Sequence, residues 1–206
     1  EMADFVGLAF DLAFKYRNPA IILADGVIGQ MMEKVVLPEQ RPRLTNEEVM
    51  ARCPWATFGK LKHRGPNIVT SLELDPAEME KRNIHLQQKY AEIEEKEVRY
   101  EEIHCDDAEY LIVAFGSCAR IAQKAMEEAR AEGIKVGLLR PITLWPFPSK
   151  AIAERSRQVK GILTVELNAG QMVEDVRLAV ECKVPVEYFG RLGGIVPDPD
   201  EVVTAL

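Results

Sequence analysis

Cysteine is scarce and scattered in this chain. The four thiols, Cys53, Cys105, Cys118 and Cys182, form no C-x-x-C pair and no Cys/His cluster with metal-ligand spacing. That argues against a zinc site or an iron–sulfur cluster held by these residues alone. Scattered thiols on a mid-sized acidic chain suit a reducing cytosol, where they are expected to be free and mostly buried as small hydrophobes. No apolar run approaches the roughly 20 residues a membrane helix needs, and nothing resembles a signal peptide. The expectation is a cytoplasmic, membrane-free protein. An excess of Lys and Arg is also missing, with 26 against 33 Asp and Glu. The net charge is −7, and the 13 acidic and 5 basic residues from Glu73 to Glu109 account for −8 of it, which leaves +1 elsewhere. No basic face is available for nucleic acid. No histidine follows His104, so the last hundred residues contain no histidine base to pair with a nucleophile.

What is present divides into three stretches, 1–37, 38–107 and 108–206. In the first, Phe5, Leu8, Leu12 and Tyr16 recur at helical spacing, and Arg17-Asn18-Pro19 stops the helix. The all-apolar run AIILAD predicts a buried parallel strand. Asp25-Gly26 then turns the chain into a second helix, VIGQMMEKVVL. One strand and two helices cannot bury their own faces, so this stretch is expected to be the tail of a larger α/β domain. The second stretch is punctuated by Pro38, Pro42, Pro54, Gly59, Gly65 and Pro66 and reads as a connector, with Trp55 and Phe58 as apolar anchors. Its basic run Lys60-Leu61-Lys62-His63-Arg64 either meets a phosphate or is solvated. A long helix is predicted over Asp75–Ile103. Asp75 would be its N-cap, Pro76 the first helical residue, and Met79, Leu86, Ile93 and Tyr100 a narrow stripe lying across a surface.

The third stretch alternates four apolar strands (YLIVAFG, KVGLLR, GILTVEL, VPVEYFG) with helices, which predicts a mostly parallel sheet sandwiched between helices. Ligands of such sheets gather at the carboxyl ends of the strands, and the candidate residues lie there. Gly116-Ser117 either offers N–H groups to an anion or simply caps the next helix. A single glycine there rules out a G-x-G-x-x-G fingerprint. Arg140 is suited to an ion pair, local or across an interface. Glu166, Asn168, Gly170 and Gln171 suit a hydrogen-bonded corner. Arg191, between Gly190 and Gly193-Gly194, either meets a carboxylate or phosphate through its planar fork or plays a structural part.

Five segments together, FKYRNPAIILADGVIGQMMEKV, AFGSCARIAQKA, GLLRPITLWPFP, VELNAGQMVEDVR and YFGRLGGIVP, resemble the alpha-type subunit of 2-oxoacid:ferredoxin oxidoreductases. The Gly-Arg-Leu-Gly-Gly loop is more similar to the 2-oxoisovalerate type than to the 2-oxoglutarate type. The resemblance implies the tail of a domain that binds the aminopyrimidine of thiamine diphosphate, then a domain similar to the transketolase C-terminal domain. It implies oxidative decarboxylation of a 2-oxoacid to an acyl-CoA with electrons passed to ferredoxin. It also implies partner subunits (a diphosphate-binding beta, a gamma and a ferredoxin-like delta) that carry the diphosphate–magnesium site and the iron–sulfur clusters. The family's catalytic carboxylate has no counterpart among these residues. The stretch is therefore expected to be scaffold, with no cofactor or metal of its own and no activity by itself. Two other readings stay open: a non-catalytic module holding an anion such as coenzyme A, and the terminal domain of a transketolase or a dehydrogenase E1 beta chain.

Overall fold

A computed structural model describes every residue except Lys60, Leu61 and Arg64. The basic run Lys60–Arg64 therefore lies partly outside the described residues. The chain forms two compact units, one of residues 1–22 and 34–88, the other of residues 23–33 and 89–206.

The second unit is built on five strands, β1 (Tyr100–Ile103), β2 (Tyr110–Ala114), β3 (Val136–Pro141), β4 (Gly161–Glu166) and β5 (Val186–Gly190), in the order β1-β3-β2-β4-β5. The four predicted strands pair in parallel. Their near-continuous apolar runs follow from burial on both faces. With period 2, Leu111 and Val113 enter a core cluster with Leu139, Ile152 and Val176, and Ile112 and Ala114 enter another with Leu138, Met126 and Val165. Over the Ile112 face lies α5 (Gly116–Ala131), whose buried Ala119, Ala122, Ala125 and Ala129 let the helix approach the sheet closely. Below the Leu111 face lie α6 (Ser149–Arg155) and α7 (Met172–Val180). A final helix, α8 (Pro199–Thr204), packs with α5 through Val202.

Two expectations are corrected. The long helix α4 spans Pro76–Lys96, and Asp75 Oδ1 does accept the Ala77 N–H at 2.8 Å. It stops seven residues short of Ile103, because Tyr100–Ile103 forms β1, antiparallel on the free edge of β3. The heptad stripe extended the helix on paper. An open strand edge, with Arg155 gripping Glu102 at 2.6 and 3.1 Å, outweighs a few tenths of a kcal/mol per residue of helix propensity. The second correction concerns AIILAD. Residues 20–25 belong to no helix or strand ladder among the described residues, and Ile21 is 80% and Leu23 69% exposed. A strand exists only through its neighbours' N–H and C=O groups, and among the described residues no strand lies beside this segment. The following helix, α2 (Gly26–Gln30), is only five residues long, and 31–37 lie outside any helix or strand.

The first unit is mostly helix and loop. Its α1 (Met2–Tyr16) closes at Arg17, a left-handed residue with φ 50°. A short α3 (Asn46–Arg52) starts from a Thr45/Glu48 capping box. Trp55 anchors the connector as its type suggests. Its ring centroid lies 5.8 Å from that of Phe14, and the Arg17 guanidinium stands 5.0 Å over it. Arg41 forks onto Asp11 at 2.5 and 2.8 Å.

Candidate functional site at the carboxyl edge of the sheet

The connections of the sheet single out one place. From β2 the chain crosses through α5 to β3 on one side, whereas from β4 it crosses through α7 to β5 on the other. The reversal lies between β2 and β4, which pair as far as Ala114–Val165. Crevices at such reversals are where open α/β sheets bind ligands. Gly116-Ser117 and Glu166–Gln171 meet there, while Arg140 and Arg191 sit on the flanks, at the ends of β3 and β5.

Each of these groups already has a role inside the chain. Glu166 is 1% exposed, and its two oxygens accept four donors: Asn168 Nδ2 at 3.0 Å and the backbone N–H groups of Gln171, Met172 and Val173 at 3.2, 2.8 and 2.9 Å. These are the N–H groups that the first turn of α7 would otherwise leave unpaired. Glu166 is thus an internal anion on the helix N-terminus. Asn168 Oδ1 accepts the Gly170 N–H at 2.7 Å, and the Tyr188 hydroxyl donates to the Asn168 carbonyl. Glu166, Asn168, Gly170 and Gln171 thus form a hydrogen-bonded corner.

The N-terminus of α5 is arranged differently. Phe115 occupies the N-cap position and supplies no side-chain cap, and Ser117 does not cap the helix with its hydroxyl. The Ser117 N–H instead donates to Asp25 Oδ2 at 3.3 Å, while Asp25 Oδ1 accepts the Ile28 N–H at 2.8 Å and caps α2. One carboxylate therefore serves two helix N-termini. Burial raises the Asp25 pKa. The N–H groups of Ile28, Ser117 and Val27, with the Ser117 hydroxyl close by, outweigh that and hold it below the usual carboxylate range. That hydroxyl nevertheless reaches no partner with hydrogen-bond geometry and is buried. Gly116 takes φ 57°, which glycine adopts freely, and the missing side chain leaves Asp25 Oδ2 room to approach. Asp25-Gly26 reads in the sequence only as a turn. No local signal shows that its carboxylate reaches a helix 92 positions away.

On the flanks, Arg140 Nε meets Glu101 at 2.9 Å, across the antiparallel β1–β3 edge. Arg191 donates its backbone N–H to the Glu166 carbonyl at 3.2 Å and its guanidinium to Glu201 at 2.6 Å. Glu201 belongs to the Asp198/Glu201 capping box of α8, a D-x-x-E signature legible in the sequence. Gly193 and Gly194, both at positive φ, turn the chain away after it.

The thiols bear on reactivity at this edge. Cys118 sits in the first turn of α5, where a helix dipole ordinarily acidifies a thiol. Here burial pushes it up to about 12, with the Asp25 and Glu166 charges adding to the effect. Cys105 is pushed up to about 11, again chiefly by burial, then by Glu102. Only these two of the four thiols are buried, fewer than the sequence suggests; Cys53 is half-buried and Cys182 exposed. Alkylation at about pH 8 is therefore expected to label Cys182 first and Cys53 next. Cys105 and Cys118 should stay protected until unfolding, as peptide mapping by mass spectrometry would report. Among the described residues no group of His, Cys, Asp and Glu could hold a metal ion.

Comparison with known proteins agrees with this architecture. Residues 108–202 match the pyruvate:ferredoxin oxidoreductase core domain II. The chain is 49% identical over 94% of its length to a ketoisovalerate oxidoreductase subunit, VorB, of Methanothermobacter thermautotrophicus, covering 53% of that protein. It is 31% identical over 92% of its length to the 2-oxoglutarate synthase subunit KorA of Archaeoglobus fulgidus, again covering 53%. The chain thus spans about half the length of the curated relatives it matches. Its fold superposes with a TM-score of 0.58 and 23% identity on the 2-oxoglutarate:ferredoxin oxidoreductase of Magnetococcus marinus, over 65% of this chain and 23% of that one. A doubly wound sheet with its reversal between β2 and β4, and identity of this extent, lead to one conclusion: this chain belongs to the family of 2-oxoacid:ferredoxin oxidoreductase subunits.

Proposed function

We propose that this chain is the scaffold and subunit-interface part of the alpha-type catalytic subunit of a thiamine diphosphate-dependent 2-oxoacid:ferredoxin oxidoreductase. That enzyme oxidatively decarboxylates a 2-oxoacid to an acyl-CoA and reduces ferredoxin. Identity carries the reading, and its gradient favours a branched-chain substrate: 49% to the ketoisovalerate subunit against 31% to a 2-oxoglutarate subunit. On this reading residues 1–37 end the pyrimidine-binding domain, 38–107 connect, and 108–206 are the transketolase C-terminal-like domain. The exposed apolar side chains Phe10, Ile21, Leu23, Met32 and Val36 support a part made to be covered.

Thiamine diphosphate, magnesium and iron–sulfur clusters belong to the whole enzyme. The residues described here do not fit them. The helix N-termini at the sheet edge hold the chain's own carboxylates, and neither a thiol set nor a metal-binding carboxylate set is assembled. Diphosphate-binding beta, gamma and ferredoxin-like delta subunits would supply those groups in the cytoplasm, with ferredoxin as the electron acceptor.

A tag on this chain tests the reading. The complex isolated through it is expected to contain those subunits and to reduce ferredoxin with 2-ketoisovalerate and coenzyme A in preference to 2-oxoglutarate. The purified chain given the same reagents, thiamine diphosphate and magnesium is expected to show no turnover, and turnover by the chain alone overturns the assignment. Calorimetric titration with coenzyme A separates the scaffold from a free-standing coenzyme-binding module, since the scaffold should release little heat.

A further inference from the structure

Segment 23–33 precedes the connector in the chain yet belongs to the compact unit of the sheet. Within residues 20–37, Asp25 and Ile28 alone are half-buried, and both face the start of α5. A Cβ on Gly116 would lie 3.5 Å from Asp25 Oδ2 and 3.9 Å from Ile28 Cδ1. Asp25 accepts the Ser117 N–H at 3.3 Å. Glu33 adds an ion pair with Arg120 at 2.6 Å, but both side chains are more than half exposed, and such pairs contribute little. Asp25 is therefore the stronger polar attachment of the segment to α5.

Its two oxygens go to two different helices. Oδ1 takes the Ile28 N–H of α2, and Oδ2 takes the Ser117 N–H of α5. Hydrogen bonds to a charged acceptor are the strong ones, and the positive ends of both helices converge on this one anion. Serine or asparagine caps a helix about as well as aspartate. Neither can also make the bridge as aspartate does, because serine ends one atom earlier and asparagine turns an NH2 group toward one of the two donors. The bridge spans 92 positions. It lies at the reversal between β2 and β4, the edge where sheets of this class take ligands.

We propose that Asp25 is a positioning residue. It joins the end of the pyrimidine-binding domain to the first helix of the transketolase C-terminal-like domain, and so fixes where the cofactor-holding surface stands against the carboxyl edge of the sheet. This role rests on the domain assignment given above. Asp25 touches neither cofactor nor substrate in it and acts only through the placement of the segment.

Two measurements test the joint. On the full chain, Asp25→Ser and Asp25→Asn keep a cap on α2 but break the bridge. Both are expected to quicken hydrogen exchange at the Ser117 amide and across 23–33 by about tenfold, the equivalent of one hydrogen bond to a charged group. Exchange of the β2 and β4 amides should stay unchanged. In the complex isolated through a tag on this chain, the same variants should assemble. They should raise the thiamine diphosphate concentration for half-maximal ferredoxin reduction by about tenfold and hold kcat at saturation within about twofold, as expected of a change in binding alone. Arg120→Ala, which removes only the exposed pair, should do neither. A wild-type result from both Asp25 variants in either measurement overturns the proposal, since capping of α2 would then suffice. An equal effect of Arg120→Ala overturns it as well. A wild-type complex without turnover overturns the enzyme assignment and the positioning role with it, while the exchange result still reports whether Asp25 holds the segment.

Discussion

Replacing Glu166 by alanine is expected to destabilise the sheet unit by about 3–5 kcal/mol, the range seen when one partner of a buried charge-assisted network is removed. The carboxylate is buried at the end of β4 and is the acceptor for the side chain of Asn168 and the backbone N–H groups of Gln171, Met172 and Val173. Alanine removes the acceptor and leaves the donors. Each buried donor left unpaired costs about 1–3 kcal/mol, less where water can enter. Since a whole domain is stable by only about 5–15 kcal/mol, a loss of this size threatens folding at ordinary temperatures. Glu166→Gln is expected to fall between alanine and the wild type. Its amide nitrogen must face at least one N–H that an oxygen now accepts, so part of the network survives. Urea unfolding followed by circular dichroism gives the order, and hydrogen exchange locates it. Protection of the Met172 and Val173 amides should drop most. Equal stability of all three proteins would mean that the corner is held by packing instead.

The second large effect is expected at Gly190, the last residue of β5. A Cβ there would run into the Tyr188 hydroxyl and come within 2.8 Å of the Asn168 carbonyl, which is backbone. The tyrosine end can swing aside, though at the cost of its hydrogen bond to that same carbonyl. The Asn168 carbonyl cannot move without pulling the Glu166–Gln171 loop, in which Asn168 and Gly170 are themselves bonded. Gly190→Ala therefore strikes the corner from the other side, and a loss of about 2–4 kcal/mol is expected, at or above the usual range for overpacking. Combined with Glu166→Gln it should fall short of the sum of the two, because both variants spend their effect on one loop. A thermal melt of the four proteins in this cycle measures the coupling. Full additivity would indicate that β5 and the β4 loop respond independently.

The two variants trace one idea, that this edge is built inward. Each polar residue the sequence offers as a ligand group is engaged by a neighbour: Glu166 by the start of α7, Arg140 by Glu101, Arg191 by Glu201, Ser117 by Asp25.

Much of this molecule was legible in its residues. Four apolar runs such as YLIVA and GILTVE can be quiet in water only when covered on both faces, and that requirement alone predicts a parallel sheet between helices. Asp75-Pro76 announces a helix start by chemistry local to four residues. What the sequence could not decide involves partners distant along the chain. Tyr100–Ile103 carries a helical stripe and becomes a strand because β3 has a free edge. AIILAD carries the composition of a strand but pairs with no strand among the described residues. Asp25 looks like a turn residue and serves a helix 92 positions later. Periodicity and capping are short-range and can be read in one dimension. Strand pairing and the destination of a charge depend on which backbone groups remain unsatisfied nearby, and only the folded chain brings those together.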